Sequence, residues 1–134
     1  MKIFLFVACA AFLVQACNQT SSRKLSDEEI LRNGARLYTR YICNTCHSLE
    51  GEEIYGPPLD RLYLSKVEVI RNGKQVTVTA DRAYLKKAIL DPRFEEVAGY
   101  QSKEMPEVHI SEKEVELLVE YLVLMGQTDS SGYR

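Results

Sequence analysis

The sequence predicts a small, mainly helical domain with one short β-hairpin inserted between its helices. Two capping boxes, Ser26 with Glu29 and Ser111 with Glu114, each precede apolar residues at helical spacing. Between them, Asn72-Gly73 separates two stretches of alternating β-branched residues, which is a strong hairpin signal. The chain has 134 residues, 46% hydrophobic and 27% charged, which is enough for one globular domain.

Residues 1–16 are predicted to be a secretory signal peptide. Lys2 is followed by an apolar run too short to span a bilayer, because a helical span needs about 20 residues. The run ends in Val14-Gln15-Ala16-Cys17, which resembles a bacterial lipobox, although Gln15 departs from the usual small residue there. We therefore expect Cys17 to be lipidated and residues 17–25 to form a flexible tether. A plain signal peptidase site is the alternative.

Three helices are predicted in the domain that follows. The first spans about residues 27–42 and runs directly into Cys43. Thr79 is predicted to cap the second, residues 80–90, which ends before Asp91-Pro92 because the residue preceding a proline avoids helical geometry. The third follows Ser111 and stops at Gly126.

The predicted hairpin lies between the first two helices and covers residues 67–78. Together these elements define a domain of residues 26–126, followed by a C-terminal tail of residues 127–134. The formal net charge of −2 argues against a nucleic-acid-binding protein, which would normally carry a basic patch.

The chemistry is predicted to centre on Cys43-Asn44-Thr45-Cys46-His47. C-x-x-C-H is the attachment signature of c-type haem, in which two thiols bond to the haem vinyl groups and the histidine ligates the iron. A structural zinc site would need two further Cys or His ligands, and only His109 remains. A redox dithiol would need a βαβ context, and a structural disulfide between Cys43 and Cys46 is the last alternative.

A sixth iron ligand is expected in the loop before the third helix. Met105 precedes Pro106, which restricts the backbone there. Met125 lies within an apolar helical run, which is more typical of a core methionine. His109 is the rival, but a lone histidine in a polar loop is usually solvated. We expect Met105 to be the ligand.

These features resemble a class I cytochrome c. The order of that family is an N-terminal helix, C-x-x-C-H, a segment like Gly56-Pro57-Pro58-Leu59, a later Met105-Pro106 and a closing helix. The resemblance implies a cytochrome c fold, with three or more helices around one covalently bound haem c and a small β-hairpin insertion.

The same resemblance assigns roles to individual residues. It implies that Pro57, or Pro58, packs behind the haem, and that a neighbouring carbonyl accepts the imidazole N–H. It also implies that the first and last helices cross where Gly34 and Tyr38 meet Tyr121.

Several segments are similar to the haem c domain of haem–copper oxidase subunit II. They lie within residues 26–126: Leu59–Tyr63, the hairpin, Thr79–Leu85, Ile89–Pro92 and Ala98–Tyr100. The cupredoxin domain, copper ligands and transmembrane hairpin of that subunit have no counterpart in this sequence. The resemblance therefore implies a free-standing relative, docked on or delivering to a larger complex.

The expected function is one-electron transfer in a bacterial respiratory chain, not catalysis. The expected partners are a quinol-oxidising complex upstream and a terminal oxidase or a reductase, such as nitrous oxide reductase, downstream. The expected location is the periplasmic side of a bacterial membrane, through a lipid anchor on Cys17. The alternatives are a haem enzyme or gas sensor with a labile sixth ligand, and a metal-handling protein using the bare dithiol.

Overall fold

The computed structural model describes residues 23–127. The predicted signal peptide, the lipidated Cys17 and all of the predicted tail except Gln127 lie outside the described residues. Within residues 23–127, the chain forms three α-helices and a three-stranded antiparallel sheet, whose strands lie between the helices in sequence. No helix within residues 23–127 is long and apolar enough to cross a membrane.

Helix α1 spans Asp27–Arg40, and its predicted capping box is confirmed. The Ser26 hydroxyl accepts a hydrogen bond from the Glu29 backbone N–H at 3.3 Å, and the Glu29 carboxylate accepts one from the Ser26 N–H at 3.0 Å. The helix ends two residues before the predicted boundary. Ile42 adopts the left-handed conformation, with φ of 53°, and turns the chain into a short 3₁₀ helix over Cys43–Thr45.

The hairpin consists of β1, Lys66–Arg71, and β2, Lys74–Thr79, in antiparallel register with Arg71 opposite Lys74. A third strand, β3, spans Glu96–Val97 and pairs with Val69 and Ile70 of β1. The strand order is β2-β1-β3, so β1 is the central strand. The sequence does not predict β3, because a strand of two residues is too short to show an alternation of polar and apolar side chains.

Helix α2 spans Arg82–Leu90, and the prediction that Thr79 caps it was wrong. Asp81 is the cap, since its carboxylate accepts a hydrogen bond from the Tyr84 N–H at 2.8 Å. Thr79 is instead the last residue of β2, opposite Lys66. Thr79 therefore pairs in the sheet and does not cap the helix that follows.

Helix α3 spans Glu112–Gln127 and crosses α1 at a glycine, as predicted. A Cβ at Gly34 would lie 2.5 Å from Cγ of Tyr121 and closer still to its Cβ. The rings of Tyr38 and Tyr121 pack beside this point, with centroids 6.0 Å apart and planes at 54°. Helix α2 packs on α3 as well.

The buried core comes mainly from the three helices. Its members are apolar side chains or tyrosines: Leu37, Tyr38, Ala80, Leu85, Ile89, Val115, Leu118, Val119, Tyr121, Leu122 and Val123. Burial of these residues against one another supplies the main stabilisation of the fold. The core fixes α1, and α1 leads directly into the cysteine turn.

Candidate haem site

The two cysteines lie on a single tight turn at the end of α1. The N–H groups of Cys46 and His47 both donate to the Cys43 carbonyl, at 3.1 and 2.9 Å. Both thiols are half-buried and free. Burial raises the pKa of the Cys43 thiol above its usual value.

The alternatives to haem attachment find no support in the described residues. Cys43 and Cys46 are not joined as a disulfide. Within residues 23–127, no group of three or more His, Cys, Asp or Glu side chains is arranged to hold a metal ion. The sheet is antiparallel, so this part of the chain lacks the βαβ context of a redox dithiol.

The imidazole of His47 is held by a backbone carbonyl. Its Nδ1 lies 2.8 Å from the carbonyl oxygen of Pro57. With Nδ1–H donating to that oxygen, Nε2 carries the lone pair that a metal ligand needs. The acceptor expected near the Gly56-Pro57 segment is thus the Pro57 carbonyl itself.

A second hydrogen bond fixes the backbone of His47. The hydroxyl of Tyr38 donates to the His47 carbonyl oxygen at 2.7 Å. Burial, followed by the proximity of Cys43 and Tyr121, raises the pKa of Tyr38 well above its usual value. The hydroxyl therefore remains protonated and available as a donor. The family resemblance places Tyr38 in the helix crossing, but the sequence gives no indication of this hydrogen bond.

Gly56 is the residue of the site that sequence reasoning undervalued. A Cβ there would lie 2.5 Å from Cε1 and 2.8 Å from Nδ1 of His47, so a side chain would displace the ring. Two backbone hydrogen bonds pin this loop to the cysteine turn. Gly56 N–H donates to the Cys46 carbonyl at 2.7 Å, and Leu59 N–H to the Ser48 carbonyl at 2.8 Å. Nothing in the sequence except the Gly-Pro-Pro order indicated this contact.

Met105 and His109 lie in the loop between β3 and α3. Met105 is half-buried, whereas His109 is exposed. Lys103, two residues before Met105, lies against the ring of Tyr55, which directly precedes Gly56. The structure thus brings the Met105 loop to the loop that holds His47.

These residues fit a covalently attached haem. Two free thiols on one turn, an imidazole with its Nδ1 engaged, and a thioether on an adjoining loop form the donor set of a c-type haem. Gly56, which has no side chain, leaves the space that the His47 ring occupies. The fold and this donor set together define a class of protein that carries haem on a C-x-x-C-H turn.

Comparison with known proteins gives the same result. The family model for cytochrome c matches residues 31–125. Among solved structures, cytochrome cH from Methylobacterium extorquens is similar at 24% sequence identity with a TM-score of 0.53. The match covers 70% of this chain and 97% of that protein, and it shows a shared fold. A search of curated proteins finds no match.

This chain belongs to the cytochrome c family. It is a class I cytochrome c, and its cofactor is haem c, which that family binds covalently. Membership of this family supports an electron carrier.

Proposed function

We propose that this protein is a membrane-tethered one-electron carrier of a bacterial respiratory chain. The observation that carries the proposal is the fixed imidazole of His47, held at Nδ1 by the Pro57 carbonyl and following directly on the cysteine pair. His47 and Met105 would both ligate the iron, so the protein itself would supply both ligands beyond the haem ring. No coordination site would then be open to a substrate.

Each residue of the site has a distinct role in this proposal. Cys43 and Cys46 would form the thioether bonds that anchor the cofactor. His47 would ligate through Nε2, and the hydrogen bond from Nδ1 to Pro57 would make the imidazole a stronger donor. The Met105 thioether would ligate from the adjoining loop and favour the reduced state. When bound, haem c supplies the reversible one-electron couple.

The tether and the partners follow from the sequence rather than from the described residues. A lipid on Cys17 holds the domain at the periplasmic face of a bacterial membrane, and so at high effective concentration near membrane-bound partners. The proposed donor is a quinol-oxidising complex. The proposed acceptor is a terminal oxidase or a reductase, including nitrous oxide reductase. Mass spectrometry of the mature N-terminus tests the anchor, and an unmodified N-terminus elsewhere contradicts it.

Spectroscopy of ligand variants tests electron transfer against catalysis. Met105→Ala should lower the reduction potential and erase the weak sulfur-to-iron charge-transfer band of the ferric protein, because the thioether is lost. His109→Ala is the matched control and should leave both nearly unchanged. The reduced native protein should not bind carbon monoxide. Ready binding would identify a haem enzyme or gas sensor with a labile sixth ligand.

A further inference from the structure

The ammonium group of Lys103 lies between two aromatic rings that belong to different loops. Its Nζ is 5.5 Å from the ring centroid of Tyr55 and 5.0 Å from that of Tyr100. An ammonium within about 6 Å of an aromatic ring is attracted by the negative face of the ring. Lys103 therefore joins the loop that precedes Gly56 to the loop that follows β3.

The two loops joined in this way carry the two sides of the haem site. Tyr55 is followed by Gly56 and Pro57, which position the His47 ring. Tyr100 and Lys103 precede Met105, and the Lys103 N–H donates to the Tyr100 carbonyl at 2.9 Å. That turn fixes the lysine next to one of its two rings, so the contact with Tyr55 restrains the whole turn.

A second interaction joins the same two loops. Burial raises the pKa of Tyr100, and the neighbouring carboxylate of Glu53 raises it further. Tyr100 therefore faces Glu53 as well as Lys103. Two pairs of side chains thus join the two loops: Lys103 with Tyr55, and Tyr100 with Glu53.

We propose that Lys103, held between Tyr55 and Tyr100, is a positioning residue that keeps Met105 at the haem iron. The inference rests on the proposed function, since it takes Met105 as the sixth ligand. Lys103 does not touch the iron in this role. It holds the Met105 loop against the loop of His47, and so disfavours the opening that detaches the thioether.

Exogenous imidazole provides the test, because it binds ferric iron only after Met105 has left. We would measure imidazole affinity in the full holoprotein from the loss of the sulfur-to-iron charge-transfer band. Lys103→Gln removes the charge and should raise imidazole affinity about two- to fivefold, the range expected for an exposed cation–π contact. Lys103→Arg keeps the cation and should remain close to the native protein.

Variants of the ring and of a second lysine separate positioning from general destabilisation. Tyr55→Phe keeps the aromatic face and should behave as native, whereas Tyr55→Leu should behave as Lys103→Gln. Lys87, on α2, is the matched control, because its Nζ lies 4.6 Å from the ring centroid of Phe94 in the segment that follows the helix. It therefore makes the same kind of contact without joining the two loops of the haem site. Lys87→Gln should leave imidazole affinity unchanged.

The outcomes distinguish this inference from the proposed function. If the native protein shows the charge-transfer band but Lys103→Gln binds imidazole no better, the positioning role is wrong and Met105 ligation stands. If the native protein lacks the band, Met105 is not the ligand, so the positioning role fails together with the Met105 ligation of the proposed function. An equal rise in affinity for Lys87→Gln would also overturn the positioning role.

Discussion

His47 is restrained by three neighbours that act on different parts of the residue. The Pro57 carbonyl holds the ring at Nδ1, and the Tyr38 hydroxyl holds the backbone carbonyl. Gly56 leaves the space that the ring occupies. A metal ligand needs a fixed direction. These three contacts hold His47 in one orientation without any contribution from the cofactor.

Gly56→Ala should disturb the ligand more than the fold. The new Cβ would force the His47 ring to shift and lengthen the hydrogen bond to Pro57. A weaker hydrogen bond makes the imidazole a poorer donor, so we expect a higher reduction potential. We also expect a loss of about 1–3 kcal/mol in the free energy of unfolding, typical of overpacking. A redox titration and denaturant unfolding measure the two effects. An unchanged reduction potential would show that Gly56 does not determine the position of the His47 ring.

The crossing of α1 and α3 is the element-scale feature that places the cysteine turn. The two helices approach so closely at Gly34 that Tyr121 occupies the space of a side chain. A hydrogen bond between Tyr41 and Glu114, at 3.0 Å, ties the end of α1 to the start of α3. The cysteine turn therefore begins from a fixed position.

Gly34→Ala should destabilise the fold even though alanine favours helices. The Cβ would meet Cβ and Cγ of Tyr121, which lie close to the backbone and cannot swing away. We expect a net loss of about 1–3 kcal/mol in the free energy of unfolding, measured by denaturant titration. Gly126→Ala is the matched control in α3, where the nearest atom to a new Cβ is at 3.5 Å. Equal stability of the two variants would show that the crossing tolerates separation.

Local signals explain which elements could be predicted from the sequence. The Ser26 and Ser111 capping boxes and the Asn72-Gly73 turn each depend on residues within a few positions, and the structure has all three. The choice between Thr79 and Asp81 as a cap depended on how far β2 pairs with β1. That pairing is a contact between strands, which a local pattern does not contain.

The residues of the haem site also fall into two groups, those that local sequence indicates and those that only the folded structure brings together. Cys43, Cys46 and His47 are contiguous, so their spacing alone indicated the chemistry. The fit of Gly56 against His47 and the contact of Lys103 with Tyr55 depend on the folded loops. A side chain brought close by tertiary structure leaves no periodicity in the sequence.

At the scale of the whole molecule, the site residues lie largely outside the helical core. Residues 46–65 and 98–111 contain no helix or strand, and they carry His47, Pro57 and Met105. Long irregular segments in a compact domain are usually functional. Covalent haem would provide the apolar surface on which both segments pack, so its binding should stabilise the native state.

Replacement of both Cys43 and Cys46 by serine should remove covalent haem and destabilise the domain. We expect the melting temperature of the double variant to fall by at least about 10 °C, because binding to the native state no longer contributes. Each single variant keeps one thioether position and should be intermediate. A haem stain on a denaturing gel and circular dichroism measure the two effects. Native helical content with cooperative unfolding in the haem-free variant would contradict the expectation.

Because β1 is the central strand of the sheet, the β1–β2 hairpin cannot be deleted without affecting the rest of the domain. A hairpin attached only at its base is a natural site for deletion or domain insertion. Here β1 also pairs with β3, and the Glu68 carbonyl accepts a hydrogen bond from the Ala98 N–H at 2.9 Å. A shortened homologue without the hairpin would lose the anchor of the segment that leads to Met105. The β1–β2 hairpin is therefore a structural part of the haem-binding domain, whereas its tip at Asn72-Gly73 lies in open space and can vary in length.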